Sequence, residues 1–385
     1  MITKKMAEQG VKLSKKQKEL IATNLAENQN ANLKFQNWKF WDRRHINIEI
    51  TKEDVAEIEN KSSDITARST EIIFSMIEKV SDIQLSKLKQ RYKKISRKEL
   101  GVKKSFEKHV ASLWKEPIDL LSMTLGLSRD LGEIINNRLR ENNTVDKKYS
   151  MEIITRLHAR GCQVMSEIIT LLLSGFADGA MARWRTLHEI AVTTYFLTKY
   201  GEPAAERYHF HQIVETCKAA RQFEKFRVRL GFEPIPQDEL LKMEEDYKKV
   251  VGQYGQDYSH QYGWASTFLN NSNPKFSDIE QAANVDYIRP YYKMACDNVH
   301  ATSTGAFFRL GLMPEFQLLL SGPSDFGLAD PGRNSALTLA QINSNLVLLD
   351  SSFESLVALK MLDSLSKDAG DLFITVQAEI EKAVV

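Results

Sequence analysis

The sequence predicts an all-α protein, a multi-helix up-and-down bundle preceded by an N-terminal helical arm. Three observations carry this expectation. No proline occurs before residue 117, and only Gly10 and Gly101 interrupt that stretch, so the arm can run as long helices. Beyond it, apolar residues recur with helical spacing over long segments separated by short Gly and Pro breaks, the pattern of amphipathic helices with short connections. The one clear strand-type alternation, Ile46-Asn-Ile-Glu-Ile50, is too short to carry a sheet.

Composition fits this class. Of 385 residues, 43% are hydrophobic and 26% charged, which excludes collagen-like, disordered and integral membrane proteins. The longest apolar stretches, such as 168–173, reach about a third of the roughly 20 residues that a bilayer-spanning helix needs. Met1-Ile-Thr-Lys-Lys5 leads into a polar stretch instead of an apolar signal segment, so a cytoplasmic protein is expected, with no membrane partner. Cys162, Cys217 and Cys296 lie far apart and form neither a CxxC pair nor a disulfide framework.

The net charge of +2 hides an asymmetry. Residues 1–110 hold 24 Lys+Arg against 15 Asp+Glu, a net of +9, leaving −7 for residues 111–385. Two parts are therefore expected: a basic helical arm over 1–110 and a bundle over 111–385. The densest basic run, Lys87-Leu-Lys-Gln-Arg91-Tyr-Lys-Lys94-Ile-Ser-Arg97-Lys98, spreads cations around every side of a helix and reads as a solvated helix or a hinge. It could also meet the phosphates of RNA. Phe35-Gln-Asn-Trp38-Lys-Phe-Trp41-Asp-Arg43-Arg44-His45 mixes rings and cations, as single-strand binders do, and as a hydrophobic anchor also would. Thr51-Lys-Glu-Asp54 looks like a helix start.

In the bundle, Pro117 is expected to open a helix. Helices over 149–173, 178–200, 203–229, 237–251, 289–312 and 335–365 follow. Breaks fall at Gly175, Gly201, Pro234 and Pro236, Pro274, Pro290 and the Gly322 to Gly332 loop.

Phosphate-binding Gly loops, HExxH, GxSxG and zinc-spaced Cys/His clusters are all missing, which removes support from most motif-bearing enzymes and from a metal or other cofactor. What stands out is polar residues where a bundle helix should be apolar. In Arg183-Trp-Arg185-Thr-Leu-His188-Glu189, His188 falls in the middle of an apolar face formed by Met181, Trp184, Leu187, Ala191, Val192 and Tyr195. Arg185 and Glu189 flank it, while Arg183 lies about 140° away around the helix. Such a set is either a satisfied structural network or a catalytic one. Asp297 lies one turn before His300 and can orient its ring. The segment Tyr254-Gly-Gln-Asp-Tyr258-Ser-His260-Gln-Tyr262-Gly-Trp264 is crowded with rings and hydrogen-bonding groups and suits a ligand-binding loop, with Tyr258, His260, Tyr262 and Trp264 as contacts. The Gly- and Pro-rich stretch 321–332 calls for a defined turn that braces the last helix. His209 and His211 lie about 200° apart on a helix and cannot share a metal.

Four blocks, Arg183-Trp-Arg-Thr-Leu-His-Glu189, Tyr262-Gly-Trp264-Ala265, Arg289-Pro-Tyr-Tyr292 with Val299-His300-Ala301, and Gly322-Pro-Ser-x-x-Gly327-Leu-x-Asp330-Pro331, resemble the signature blocks of a bacterial helical domain family of unknown function over roughly residues 105–365. That resemblance names no activity. Arg183-x4-His188 also resembles the Arg-x(4-6)-His motif of the HEPN superfamily, helical proteins that include metal-independent ribonucleases of toxin and antiphage systems acting at a dimer interface. It implies a metal-independent endoribonuclease with His188 as general acid/base and Arg183 or Arg185 as phosphate clamp. His300 with Asp297 would assist, Glu189 would support, the basic arm would hold RNA, and the chain would form a homodimer or higher homo-oligomer. RNA supplies its own 2′-OH nucleophile, so the chemistry needs no metal. The alternative is a non-enzymatic helical sensor or scaffold that binds a small ligand or partner protein.

Overall fold

The computed structural model describes residues 2–19, 51–141, 148–300, 302–313 and 319–384. It is all-α, with no strand among those residues. The aromatic segment 35–45 and the alternating segment 46–50 lie outside them. The chain forms two compact units, Met1–Glu99 and Leu100–Val385.

The first unit holds α1 (Ile2–Glu8) and the start of α2 (Lys52–Glu141), the helix within which the boundary falls. Helix α2 opens at Thr51 with a reciprocal capping box: the Thr51 N–H donates to Asp54 Oδ2 at 2.9 Å, and the Asp54 N–H donates to Thr51 Oγ1 at 3.3 Å. Asp54 also pairs with Lys5 of α1. Further along, the cations of 87–98 and apolar side chains such as Ile72, Phe74 and Ile77 stand exposed, so the basic run is a solvated stretch of helix.

In the second unit, α2 continues past Pro117, which lies inside the helix instead of opening one. An internal proline costs about 3 kcal/mol, because it lacks an N–H and crowds the preceding turn. The face that includes Trp114, Ile118, Leu121 and Leu125 is buried on both sides of it and offsets that cost. Trp114 is the anchor: its ring packs on Phe373 at 5.8 Å, and its Nε1–H donates to the Asp325 carbonyl at 2.8 Å.

Helices α3 (Lys148–Leu173), α4 (Ala177–Tyr200), α5 (Glu202–Leu230) and α6 (Gln237–Tyr254) begin and end within a few residues of the expected bounds. Two helices differ. The segment expected to be helical over 289–312 stops early, at Val299, giving α8 (Arg289–Val299) after a short α7 (Phe276–Ala282). His300 turns extended, and Thr302 Oγ1 accepts from the Gly305 N–H at 3.0 Å to cap a new turn. The segment expected over 335–365 is two helices, α9 (Ala329–Val347) and α10 (Phe353–Val384). Ser352 separates them by capping the Ser355 N–H at 3.2 Å, and Arg138 of α2 donates to Ser352 and Asp350.

Helix α9 is the central element, packed against α3, α4 and α10. One chain of hydrogen bonds crosses this core. The Ser128 hydroxyl donates to the Thr124 carbonyl, Asn343 Nδ2 donates to Ser128 Oγ, and Asn343 Oδ1 lies 2.9 Å from His158 Nε2. His158 is buried, and that burial holds its pKa below the usual 6.5 although the Asn343 bond opposes the shift. The unfolded chain binds a proton at this residue below pH 6.5 while the folded one resists it. Stability is therefore complete above 6.5 and is lost as pH falls toward the folded value. Melting temperatures measured from pH 7.5 to 5.5 are expected to fall less steeply in His158→Gln than in the parent; equal slopes would show that His158 is not the group responsible.

Candidate functional site

Helix α4 starts after Gly175, whose φ of +74° and close approach to Ser324 O and the Phe106 ring leave no room for a side chain. The helix carries Trp184, Leu187, His188, Ala191 and Val192 into the core, all essentially inaccessible. His188 is fully enclosed, and its Nε2 lies 3.0 Å from Oε1 of Glu280 in α7, itself fully enclosed. The other Glu280 oxygen pairs with Arg289, the first residue of α8. Trp184 stacks on the imidazole at 5.3 Å and Phe276 meets it edge-on at 6.1 Å. The Nδ1 atom is buried with no hydrogen-bond partner among the described residues. Trp184 is fixed in turn, donating through Nε1 to Thr338 Oγ1 of α9 at 2.9 Å.

Arg185 and Glu189 form a second, half-buried cluster beside it with Tyr292 of α8. Arg185 contacts Glu189 Oε1 and the Tyr292 oxygen, each at 3.0 Å, and the Tyr292 hydroxyl donates to Glu189 Oε1 at 2.7 Å. The Arg185 guanidinium also lies over the Tyr292 ring at 5.1 Å. Burial and the Glu189 carboxylate push the Tyr292 phenol well above its ordinary pKa, so it stays a donor. Arg183 goes elsewhere: its Nε–H pairs with Glu167 of α3, and its NH1 reaches Thr186 at 3.3 Å. Thus Arg185 and Glu189 share the environment of His188 through Tyr292, whose ring is 5.6 Å from the imidazole, and Arg183 does not.

The remaining sequence-derived residues are placed apart. His300 is exposed at the end of α8, unlike the enclosed His188, and Asp297 accepts from Thr302 Oγ1 at 2.9 Å with no hydrogen bond to His300 among the described residues. In the aromatic loop, Tyr258 is fully buried and Trp264 nearly so, Tyr262 is half-buried near Phe276, and of these four contacts His260 alone is exposed. The loop is organised by Arg207 of α5, a residue that its polar helical context did not single out. Its guanidinium donates to the carbonyls of Trp264 at 3.0 Å and Gly263 at 3.2 Å, and lies over the rings of Tyr254 and Tyr258. Tyr258 returns a bond to the Arg207 carbonyl, and His211 Nε2 contacts the His260 carbonyl at 2.9 Å. Since a lysine ammonium cannot reproduce this planar fork, Arg207→Lys is expected to cost about 2 kcal/mol in urea unfolding; an unchanged midpoint would mean that the loop holds itself. No group of three or more His, Cys, Asp or Glu among the described residues could hold a metal ion.

Residues 151–315 match a family of unknown function, DUF5677. That segment includes the His188 network, the aromatic loop and His300, and leaves α2, α9 and α10 outside. No curated protein and no solved structure matches the chain.

Proposed function

We propose that this chain is a non-enzymatic helical sensor or scaffold of the cytoplasm, and that the Arg-x4-His block holds the bundle together instead of cutting RNA. The observation that carries this reading is the enclosure of His188. A general base must come within hydrogen-bond reach of the proton it abstracts. Here the imidazole sits between Trp184, Phe276 and Tyr292 and is held by an equally buried Glu280. The clamp candidates are engaged as well, Arg183 with Glu167 and Arg185 with Glu189 and Tyr292. Residues paired in this way serve packing and orientation.

Apolar side chains exposed along α2, Ile72, Phe74 and Ile77 among them, support assembly through the arm with a protein or a second copy of the chain. The exposed cations of 87–98 favour RNA as a partner that is bound without being cut. No helix among the described residues is long and apolar enough to cross a membrane.

The test is incubation of the full chain with single-stranded and hairpin RNA in EDTA. The expected result is no cleavage above buffer, with His188→Gln lowering the melting temperature. Cleavage that His188→Gln abolishes at unchanged melting temperature would overturn this reading in favour of the metal-independent ribonuclease.

A further inference from the structure

Between α2, α3 and α9 lies a cavity of about 670 Å³, a size suited to a small metabolite, that none of the sequence motifs touches. Helix α2 supplies Arg129, Gly132, Glu133, Asn136 and Arg140, a spacing that places them along one face, and α3 supplies the opposite wall with Arg156 at its edge. Arg129 is exposed and makes no hydrogen bond or ion pair among the described residues. Arg140 donates to the neutral Asn136 amide at 3.1 Å, and only Arg156 is paired, with Glu152. Against three guanidinium groups the lining holds one carboxylate, Glu133. The cavity is thus a positive spot on a part of the chain whose net charge is negative, a placement that favours an anion.

The floor adds a second requirement. The Ser128 hydroxyl is committed to the Thr124 carbonyl, so Ser128 Oγ can only accept from Asn343 Nδ2. That orients the Asn343 amide with its oxygen toward His158, whose Nε2 must carry the proton. The other ring nitrogen, Nδ1, is then a bare acceptor. His158 is only 4% exposed and lines the cavity, and its hydrogen-bond contacts among the described residues are made through Nε2, to Asn343 and Cys162, which leaves Nδ1 for a ligand. Gly132 makes this placement feasible, since a Cβ there would sit 2.8 Å from Nδ1 and 2.5 Å from Cε1. Apart from the imidazole, the lining contains no aromatic ring on which a nucleobase could stack.

We propose that this cavity binds a small hydroxylated organic anion, its phosphate or carboxylate groups held by Arg129 and Arg140 and a hydroxyl donating to Nδ1 of His158. The site rests on the binding-protein reading above and supplies its ligand class. Guanidinium forks take phosphate and carboxylate alike, so both sources of the oxyanion are tested.

The full chain is titrated calorimetrically with glucose 6-phosphate, citrate and inorganic pyrophosphate, the last lacking any carbon-borne hydroxyl. Glucose 6-phosphate or citrate is expected to bind once per chain at least tenfold more tightly than pyrophosphate. Arg129→Ala is expected to weaken that binding about tenfold, the loss of one charge-assisted contact, without altering the melting temperature of the unliganded protein. Binding of none of the three, pyrophosphate as tight as the others, or binding indifferent to Arg129→Ala would each overturn the proposal. The RNA incubation in EDTA separates the two readings. Cleavage together with Arg129-dependent binding would remove the binding-protein reading and keep the site, and absence of both would keep the reading and remove the site.

Discussion

Glu280→Ala is expected to destabilise the protein by about 2–3 kcal/mol, the cost of leaving a buried imidazole N–H without its acceptor. The carboxylate is inaccessible and is shared between His188 Nε2 and Arg289. Without it the imidazole loses the one hydrogen bond it makes among the described residues, Nδ1 being without a partner there, and the Arg289 guanidinium, 36% exposed, is left to water. Glu280→Gln keeps an acceptor for His188 but not the charge for Arg289, so it should fall between the parent and alanine. The pair His188→Leu with Glu280→Leu should recover part of the loss, because an apolar replacement leaves fewer uncompensated groups behind. Urea unfolding followed by circular dichroism measures all three. A loss under about 1 kcal/mol for Glu280→Ala would mean that the buried network does not hold α4, α7 and α8 together.

Gly327→Ala is expected to cost about 2–5 kcal/mol, adding strain in the left-handed region to overpacking. The residue has φ of +78°, and an added Cβ would lie 1.9 Å from the Leu310 carbonyl oxygen and 2.4 Å from its carbon. Backbone atoms cannot move aside as a flexible side chain would. The loop is also fixed at its flanks: the Gly327 N–H donates to Gln377 of α10, the Ser324 N–H to the Gly175 carbonyl, and Asp325 contacts His109 and Trp114. A Cβ added to Gly322, in the same loop, would meet no atom within 4 Å, so Gly322→Ala should stay within about 0.5 kcal/mol. Differential scanning calorimetry of the two variants side by side tests this, and similar melting temperatures would show that the loop can shift as a body.

The helical bundle was legible in the sequence wherever punctuation and period agreed. Gly201 and Gly231 end α4 and α5 with positive φ, close to where the sequence breaks were expected. It was less legible where a weak local signal competed with a strong one. Pro117 is a strong helix-start signal in a free peptide, but the buried row from Val110 to Leu125 carries α2 through it. The break between α9 and α10 is written in Asp350-Ser351-Ser352, polar residues that cap well but are easily passed over in an apolar period. At the candidate site, helical spacing alone places His188 among apolar neighbours and Arg185 nearer to it than Arg183. Its partner Glu280 lies 92 residues away, and no local pattern reports a tertiary pairing of that kind. The same holds for His158, whose i, i+4 relation to Ile154 and Cys162 marks a core face but not the glycine of α2 that makes room for it.

The hydrogen-bond chain that ends at His158 has a direction, and the direction is set far from the cavity. Its origin is the backbone carbonyl of Thr124, and each later group can point only one way once the previous one is placed. The ring nitrogen that meets a bound molecule therefore reads out a choice made at Ser128, a residue outside the cavity lining. Deleting that one hydroxyl would let the Asn343 amide turn over and exchange the imidazole tautomer. The cavity would then offer a donor where it had offered an acceptor, changing its chemical preference while every lining side chain stays the same.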